Sequence, residues 1–472
     1  MARLLVAASS AAVLVLEILA SRLLAPYVGV SHETFTGIIG VVLAGIATGA
    51  WAGGKLADGR DPKMLLGMVL IVGGVLAWMV LPILNFLGPQ LRGAGVVAVL
   101  LLGLFSLFLP AAVLSAVTPM VAKLRLADLG ETGAVVGGLS AAGTVGALFG
   151  TFVTGFVLIA ALPTRLTVMV LGLALVIGGI FIDRRLARAI PTSTLAILAL
   201  AGGLLGATSR QPCEHETSYY CVELVADTEN ASAQSLYLDG VRHAYVDLDD
   251  ATNLDVRYVR LFAQASDALP AGPLDTLHIG GGGFSFPRYL QTERPGGSDL
   301  VLEIDPVLVE LAEDQLDLRE TDSLQVQVGD GRLALGAMPQ DAFDLVIGDA
   351  FGSRSVPWHL TTEEFLTDID RVLSGEGLYV MNVIDGGDFG LVRAEVATLL
   401  EVFRAVQVIA PPGGIPLRGA DNFVLVASQS PIPTLAIRAE DGRVLSESET
   451  AEFRAGAKPL RDDFAPVDQL ID

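Results

Sequence analysis

The sequence predicts a multi-pass α-helical bundle of about seven membrane spans, then a small β-unit, then a doubly wound α/β domain. Three observations predict it. Long apolar stretches are confined to the first 210 residues, the charge changes abruptly after them, and short apolar strands alternate with helical patterns beyond residue 270.

The 472 residues are 52% hydrophobic, with a mean hydropathy of +0.58. That exceeds the usual apolar share of soluble proteins. Residues 1–210 carry 13 Lys and Arg against 7 Asp and Glu, and the remainder carries 17 against 45. An acidic second half opposes nucleic acid, whose phosphates need clustered Lys and Arg. It suits cationic ligands as well as a plain solvated surface.

Seven stretches are long enough, at 1.5 Å per residue, to approach a ~30 Å hydrocarbon core. They are Leu4–Tyr27, Phe35–Leu56, Met64–Leu87, Gly93–Val121, Gly133–Leu162, Leu166–Ile182 and Thr192–Thr208. The last two are short. The first lacks a basic leader beyond Arg3 and precedes six others, so it reads as a span rather than a signal peptide. Small residues in Gly133–Gly137 and Gly143–Gly150 suit close helix packing in lipid. Glu17 and Arg22 suggest an ion pair, and Pro110 and Pro119 suggest a kink in the fourth span.

Basic residues cluster in three connections: Lys55, Arg60 and Lys63; Lys123 and Arg125; Arg184, Arg185 and Arg188. The positive-inside rule puts these in the cytoplasm, and seven spans then put the second half outside. Cys213 and Cys221, the only cysteines, fit a disulfide in an oxidising compartment. A nucleotide ligand made in the cytoplasm argues the other way, so the side stays open at this point.

After Arg210, Ser218–Leu224 and Gln234–Leu238 read as a β-unit with a turn at Asp239-Gly240, and Asn253–Ala268 as a helix. Thr276–Ile279, Asp299–Ile304, Leu324–Val328, Phe343–Gly348 and Leu378–Val383 read as buried strands. Helical patterns such as Pro306–Leu316 and Thr362–Leu373 lie between them. Val406–Ile409 and Phe423–Ala427 add edge strands. The organisation is therefore 1–210 membrane bundle, 211–260 β-unit, 261–430 Rossmann-like nucleotide-binding domain, and 431–472 a charged, loosely packed tail.

Candidate site residues stand at four successive strand ends, where open α/β sheets bind ligands. Gly280, Gly281, Gly282 and Gly283 follow the first strand of the sheet and let a ligand approach the backbone. Glu303, in Leu302-Glu-Ile-Asp305, ends the second strand and suits ribose hydroxyls; Asp305 lies beside it. Asp330 and Gly331 follow the third strand, where a carboxylate suits an adenine amino group. Asp349 ends the fourth. Phe284-Ser-Phe-Pro287 does not read as a clean helix start, which disfavours a pyrophosphate and favours a nucleoside without one. The histidines and cysteines lack metal-ligand spacing, so no metal is expected.

Leu277–Ile304, with Gly329-Asp-Gly331 and Asp349, resembles the spermidine synthase (polyamine aminopropyltransferase) family, in its membrane-fused bacterial form. The Leu238-Asp-Gly-Val241 turn, His243 and Tyr258 fall where that family has its β-unit, a glutamine and the following helix. The likeness covers roughly residues 214–430. It implies S-adenosylmethionine or its decarboxylated form as substrate. It also implies that Glu303 holds the ribose, Asp330 the adenine, and that Asp349 is the catalytic acid near the sulfonium.

Two departures bear on the reaction. The family's loop carries an Asp where this chain has Gly283, and its second strand-four acid is replaced by Gly352 in Asp349-Ala-Phe-Gly352. A buried ammonium needs a carboxylate, so a bound diamine is disfavoured. The carboxylate of intact S-adenosylmethionine is no longer repelled. The preferred reading is cleavage of S-adenosylmethionine to methylthioadenosine by cyclisation to homoserine lactone. Aminopropyl transfer to a polyamine is the rival, with Asp249, Asp250 or Asp255 replacing the lost acids. A non-catalytic nucleotide sensor on a transporter-like bundle, and a methyltransferase, are further alternatives. His359 is a candidate for the acceptor side. The expected partners are a lipid bilayer and a small nucleotide, with no nucleic acid, and a homodimer is compatible with the sequence.

Overall fold

The computed structural model describes residues 1–92, 94–126, 132–186, 191–209, 213–351, 356–415 and 420–471. Gly93, Arg188 and Gly352 of the readings above lie outside the described residues. The chain forms two compact units, Met1–Cys221 and Val222–Asp472.

The first unit is helical. α1 is Ala2–Val28, α2 His32–Gly59, α3 Pro62–Leu91, α4 Gly95–Arg125, α5 Thr132–Ala161, α6 Thr164–Leu186 and α7 Thr192–Thr208. Six of them, α1 to α6, are long and apolar enough to cross a bilayer; α7, at 17 residues, is shorter. The Pro110 region does not simply kink α4. A π-helical turn, Leu104–Phe108, precedes it, which absorbs the hydrogen bond a proline cannot make. Close packing falls on the second glycine group. A Cβ on Gly146 would come 2.1 Å from the Ala7 carbonyl oxygen, whereas Gly133 and Gly137 face open space. Arg22 pairs with Glu216 at 3.5 Å, and Glu216 also accepts from the Thr164 N–H at 2.9 Å. Cys213 and Cys221 form a disulfide.

The second unit opens with an antiparallel meander: β1 Cys221–Ala226, β2 Ala233–Leu238 and β3 Val241–Asp247. The β2–β3 turn places Asp239 and Gly240 at φ 50° and 76°, the two positive values that a two-residue hairpin turn requires. α8, Arg257–Ser266, then leads into the main sheet.

That sheet contains β4 Asp275–Ile279, β5 Ser298–Glu303, β6 Leu324–Val328, β7 Phe343–Gly348, β8 Leu373–Asp385, β9 Ala405–Ala410, β10 Asp421–Ser428 and β11 Arg443–Val444. The order is β11-β9-β10-β8-β7-β4-β5-β6. Strands β8, β7, β4, β5 and β6 run parallel, and β10 pairs antiparallel with β8 and β9. The chain reverses direction across the sheet between β4 and β7, so their carboxyl ends frame the crevice where such sheets bind ligands.

Helices α9 Ser285–Glu293, α10 Pro306–Gln315, α11 Gly331–Leu335, α12 Glu363–Val372 and α13 Gly390–Val402 complete the alternation. α9 corrects the reading of the glycine loop, because a helix does begin directly after it. Phe284 takes a left-handed conformation at φ 56°, and Pro287 falls in the first turn, where its missing N–H costs nothing. A helix N-terminus of the kind that suits a diphosphate therefore does follow the loop. The tail is also corrected. α14, Glu447–Phe453, starts with a Ser446–Glu449 capping box, and Leu445, Phe453, Leu460 and Val467 are buried in the core beside Phe389 and Phe423. Its charged residues occupy the outer face of a packed segment.

Candidate functional site

The parallel strand order places the four candidate strand ends side by side, as β7, β4, β5 and β6. Gly280–Gly283, Glu303, Asp330 and Asp349 therefore line one edge, as the sequence suggested.

Glu303 is buried. Its Oε2 accepts from the Gly281 N–H at 2.8 Å and the Gly282 N–H at 3.4 Å, and its Oε1 from the Asp305 N–H at 2.9 Å. Burial pushes its carboxyl up, and these three N–H groups pull it back down. Glu303 thus shapes the glycine loop, and its remaining lone pairs are what a ribose could use. Asp305 caps α10, accepting from the Val307 N–H at 3.1 Å, so its visible role is to start that helix.

Asp330 caps α11 through the Leu333 N–H at 3.0 Å, while its other oxygen meets His359 Nε2 at 3.2 Å. His359 therefore stands beside Asp330, the adenine candidate. Its ring also packs edge-on against Trp358 at 5.8 Å. Gly331 closes on Ile279 of β4, where a Cβ would come within 2.9 Å of Ile279 Cγ2.

Asp349 is half-buried. Its Oδ1 accepts from Asn382 Nδ2 at 3.1 Å, and the Tyr258 hydroxyl is a second hydrogen-bond partner. Burial raises its carboxyl to about 7, although both partners oppose the shift. A carboxylate poised there can either neutralise a cation or take a proton near neutral pH. The single proton of the Tyr258 hydroxyl is shared between Asp349 and the His243 carbonyl, which lies 3.0 Å away, and the His243 ring meets Phe351 at 6.4 Å between centroids. The meander and α8 therefore bring His243 and Tyr258 to the Asp349 end of the edge.

Gly283 is pinned by the same meander. A Cβ there would lie 2.6 Å from Ala244 Cβ and 2.9 Å from Val246 Cγ2. Of the acids offered as replacements, Asp255 pairs with Arg242 at 2.6 Å, Asp250 accepts from the Thr252 N–H at 2.9 Å, and Asp249 is exposed. Two site residues were missed in the sequence. Asn382 sits fully buried in β8, and Asn422 on β10 donates to its Oδ1 at 2.8 Å. A lone Asn inside the apolar run Tyr379–Ile384 was the available signal.

No family model matches the chain. It is 28% identical over 212 residues to a polyamine aminopropyltransferase of Vibrio vulnificus, covering 42% of this chain and 70% of that one. It is 28% identical over 189 residues to another of Chromobacterium violaceum, covering 39% and 70%. It is also similar to the human eEF1A lysine and N-terminal methyltransferase, 27% identical over 147 residues that make up 21% of that protein. Among solved structures, a probable spermidine synthase from Corynebacterium glutamicum superposes with a TM-score of 0.50. That match has 26% identity and covers 54% of this chain and 97% of that one. The second half of this chain is spermidine-synthase-like. In this spermidine-synthase-like unit the meander packs against the glycine loop at Gly283, and the strand-end acids Glu303, Asp330 and Asp349 share one sheet edge.

Proposed function

We propose that the protein is a membrane-bound enzyme that binds S-adenosylmethionine at the β4–β7 edge and cleaves its carbon–sulfur bond to release methylthioadenosine. The observation that carries this is Asp349, raised to about 7 by burial and held by Asn382 and Tyr258 at the end of β7. Its ionised form offsets the sulfonium charge while the leaving group forms.

The preferred nucleophile is the substrate's own carboxylate oxygen. The new carbon–oxygen bond closes a five-membered lactone as the carbon–sulfur bond breaks, and the electron pair passes to sulfur. No proton has to move. The packing at Gly283 supports this choice, since it leaves no space for the acid that would hold an amine. Aminopropyl transfer from the decarboxylated nucleotide is the second reading. The named activity of the relatives and the basic character of Asp349 favour it. Purified protein incubated with S-adenosylmethionine alone decides between them. Methylthioadenosine with homoserine lactone supports cyclisation; release only from the decarboxylated form plus an amine supports transfer; no release with either overturns both.

We further propose that the soluble half lies outside the cytoplasm. Lys55, Arg60 and Lys63, then Lys123 and Arg125, then Arg184 and Arg185 follow or close α2, α4 and α6, all at one end of an up-and-down bundle. Glu216, bound to Thr164 at the start of α6 and to Arg22 near the end of α1, leaves the bundle at the opposite end. The disulfide beside it suits an oxidising compartment.

A further inference from the structure

Asn382 is 1% exposed, within a strand whose neighbours are apolar. A buried amide with unmatched groups costs free energy, and a flipped amide would turn its carbonyl toward the Asp349 carboxylate. An ionised carboxylate can only accept, so the Asn382 NH2 must face Asp349 and its oxygen must face a donor. That donor is Asn422, whose Nδ2 lies 2.8 Å from Asn382 Oδ1. The sheet register brings them together. Asn382 lies opposite Val424 and Asn422 opposite Ile384, which makes the two asparagines diagonal neighbours on one face.

Asn422 is itself held. Its N–H donates to Asp421 Oδ1 at 2.8 Å, and its carbonyl accepts from Arg257 Nη2 at 2.9 Å. Arg257 also pairs with Asp421 and donates to the Asp441 carbonyl at 2.9 Å. The next residue along α8 is Tyr258, the other partner of Asp349. Adjacent residues of one helix thus reach the carboxylate from two sides, Tyr258 directly and Arg257 through Asn422 and Asn382.

We propose that Asn422 is a positioning residue for Asp349, acting through Asn382, whose amide it locks with the NH2 toward the carboxylate. This rests on the reading of Asp349 as the acid beside the sulfonium. The groups that act on the Asp349 carboxyl are the Tyr258 hydroxyl from α8 and Asn382 from β8, and among the described residues no charged side chain acts on it. The Arg257–Asp421 pair lies behind Asn422. Removing the Asn422 donor frees the Asn382 amide to turn, and Asp349 then holds its proton more tightly.

The test needs no ligand. An infrared pH titration of the full chain in lipid nanodiscs follows the protonated-carboxyl band that disappears in Asp349→Asn. The wild-type midpoint is expected at about 7. Asn382→Leu and Asn422→Leu should both raise it. Asn422→Asp, which can only accept, should raise it most, by roughly tenfold or more in proton affinity, about one pH unit. The proposal is overturned if Asn382→Leu moves the midpoint and the Asn422 variants do not, or if the Asn422 variants lower thermal stability without moving it. It is equally overturned if no band assigned to Asp349 titrates. A shifted midpoint in a protein that releases no methylthioadenosine would sink the functional reading and leave this inference standing.

Discussion

Gly283 and Ala244 touch across the junction of the glycine loop and the meander, with room between them for hydrogen but not for a Cβ, which would sit 2.6 Å from the Ala244 methyl. A packing contact thus fills the position at which the resemblance to spermidine synthases implies an acid. Restoring it would drive a carboxylate into β3.

Gly283→Ala should therefore destabilise the protein by about 1–3 kcal/mol, the usual cost of overpacking. Adding Ala244→Gly should recover part of that loss, since Val246 remains close. Thermal unfolding of the single and double variants measures both. Gly283→Asp should fold less well still and gain no diamine-dependent turnover.

Asp349→Asn should lower methylthioadenosine release by about 10²–10³-fold, the scale of losing one preorganised charge. Binding of methylthioadenosine, which carries no sulfonium, should change little. Calorimetry alongside product assay separates the two effects. Unchanged turnover would remove Asp349 from the reaction.

The pH dependence follows from the raised Asp349 carboxyl. Catalysis needs the ionised form, so release should rise as pH increases through about 7. Stability runs the other way. An acid whose folded value lies above its unfolded one stabilises most below the unfolded value, and that contribution is lost as pH climbs from about 4 to about 7. Asp349→Asn should flatten both trends, and unfolding midpoints measured at pH 5 and pH 8 would show whether it does.

Glu303→Gln keeps the side-chain volume but removes the charge that favours ribose hydroxyls and leaves one oxygen to accept from the backbone N–H groups of Gly281, Gly282 and Asp305. Nucleotide affinity should fall roughly 10–100-fold, the value of one or two hydrogen bonds to a charged group. An unaltered dissociation constant for methylthioadenosine would mean that Glu303 serves only to hold Gly281 and Gly282.

The side of the membrane is open to direct labelling. With Cys213 and Cys221 bridged, a cysteine placed at exposed Glu229 should react with an impermeant maleimide in intact cells. One placed at exposed Asp58 should react only after permeabilisation. The reverse pattern would put the soluble half in the cytoplasm.

Much of this architecture was legible along the chain because it depends on local chemistry. Hydrophobic runs of span length, strand–helix alternation and the strand-end placement of Gly280, Glu303, Asp330 and Asp349 all follow from short-range pattern. The start of α9 was misread, because a left-handed Phe284 and a first-turn Pro287 hide a helix that the packing of Phe286 and Leu290 secures. The tail was misread for a similar reason: charge marks its outer face, and only the fold shows that Phe453 and Leu460 point inward.

Contacts between residues far apart in sequence were decided by the tertiary structure alone. The register of β8 against β10 brings Asn422 to Asn382 and so to Asp349, the meander brings Ala244 to Gly283, and α8 brings Tyr258 to the carboxylate. No local pattern encodes such meetings. They arise where strands separated by tens of residues come to lie within ångströms of one another, and burial there gives each polar group its partner and Asp349 its raised proton affinity.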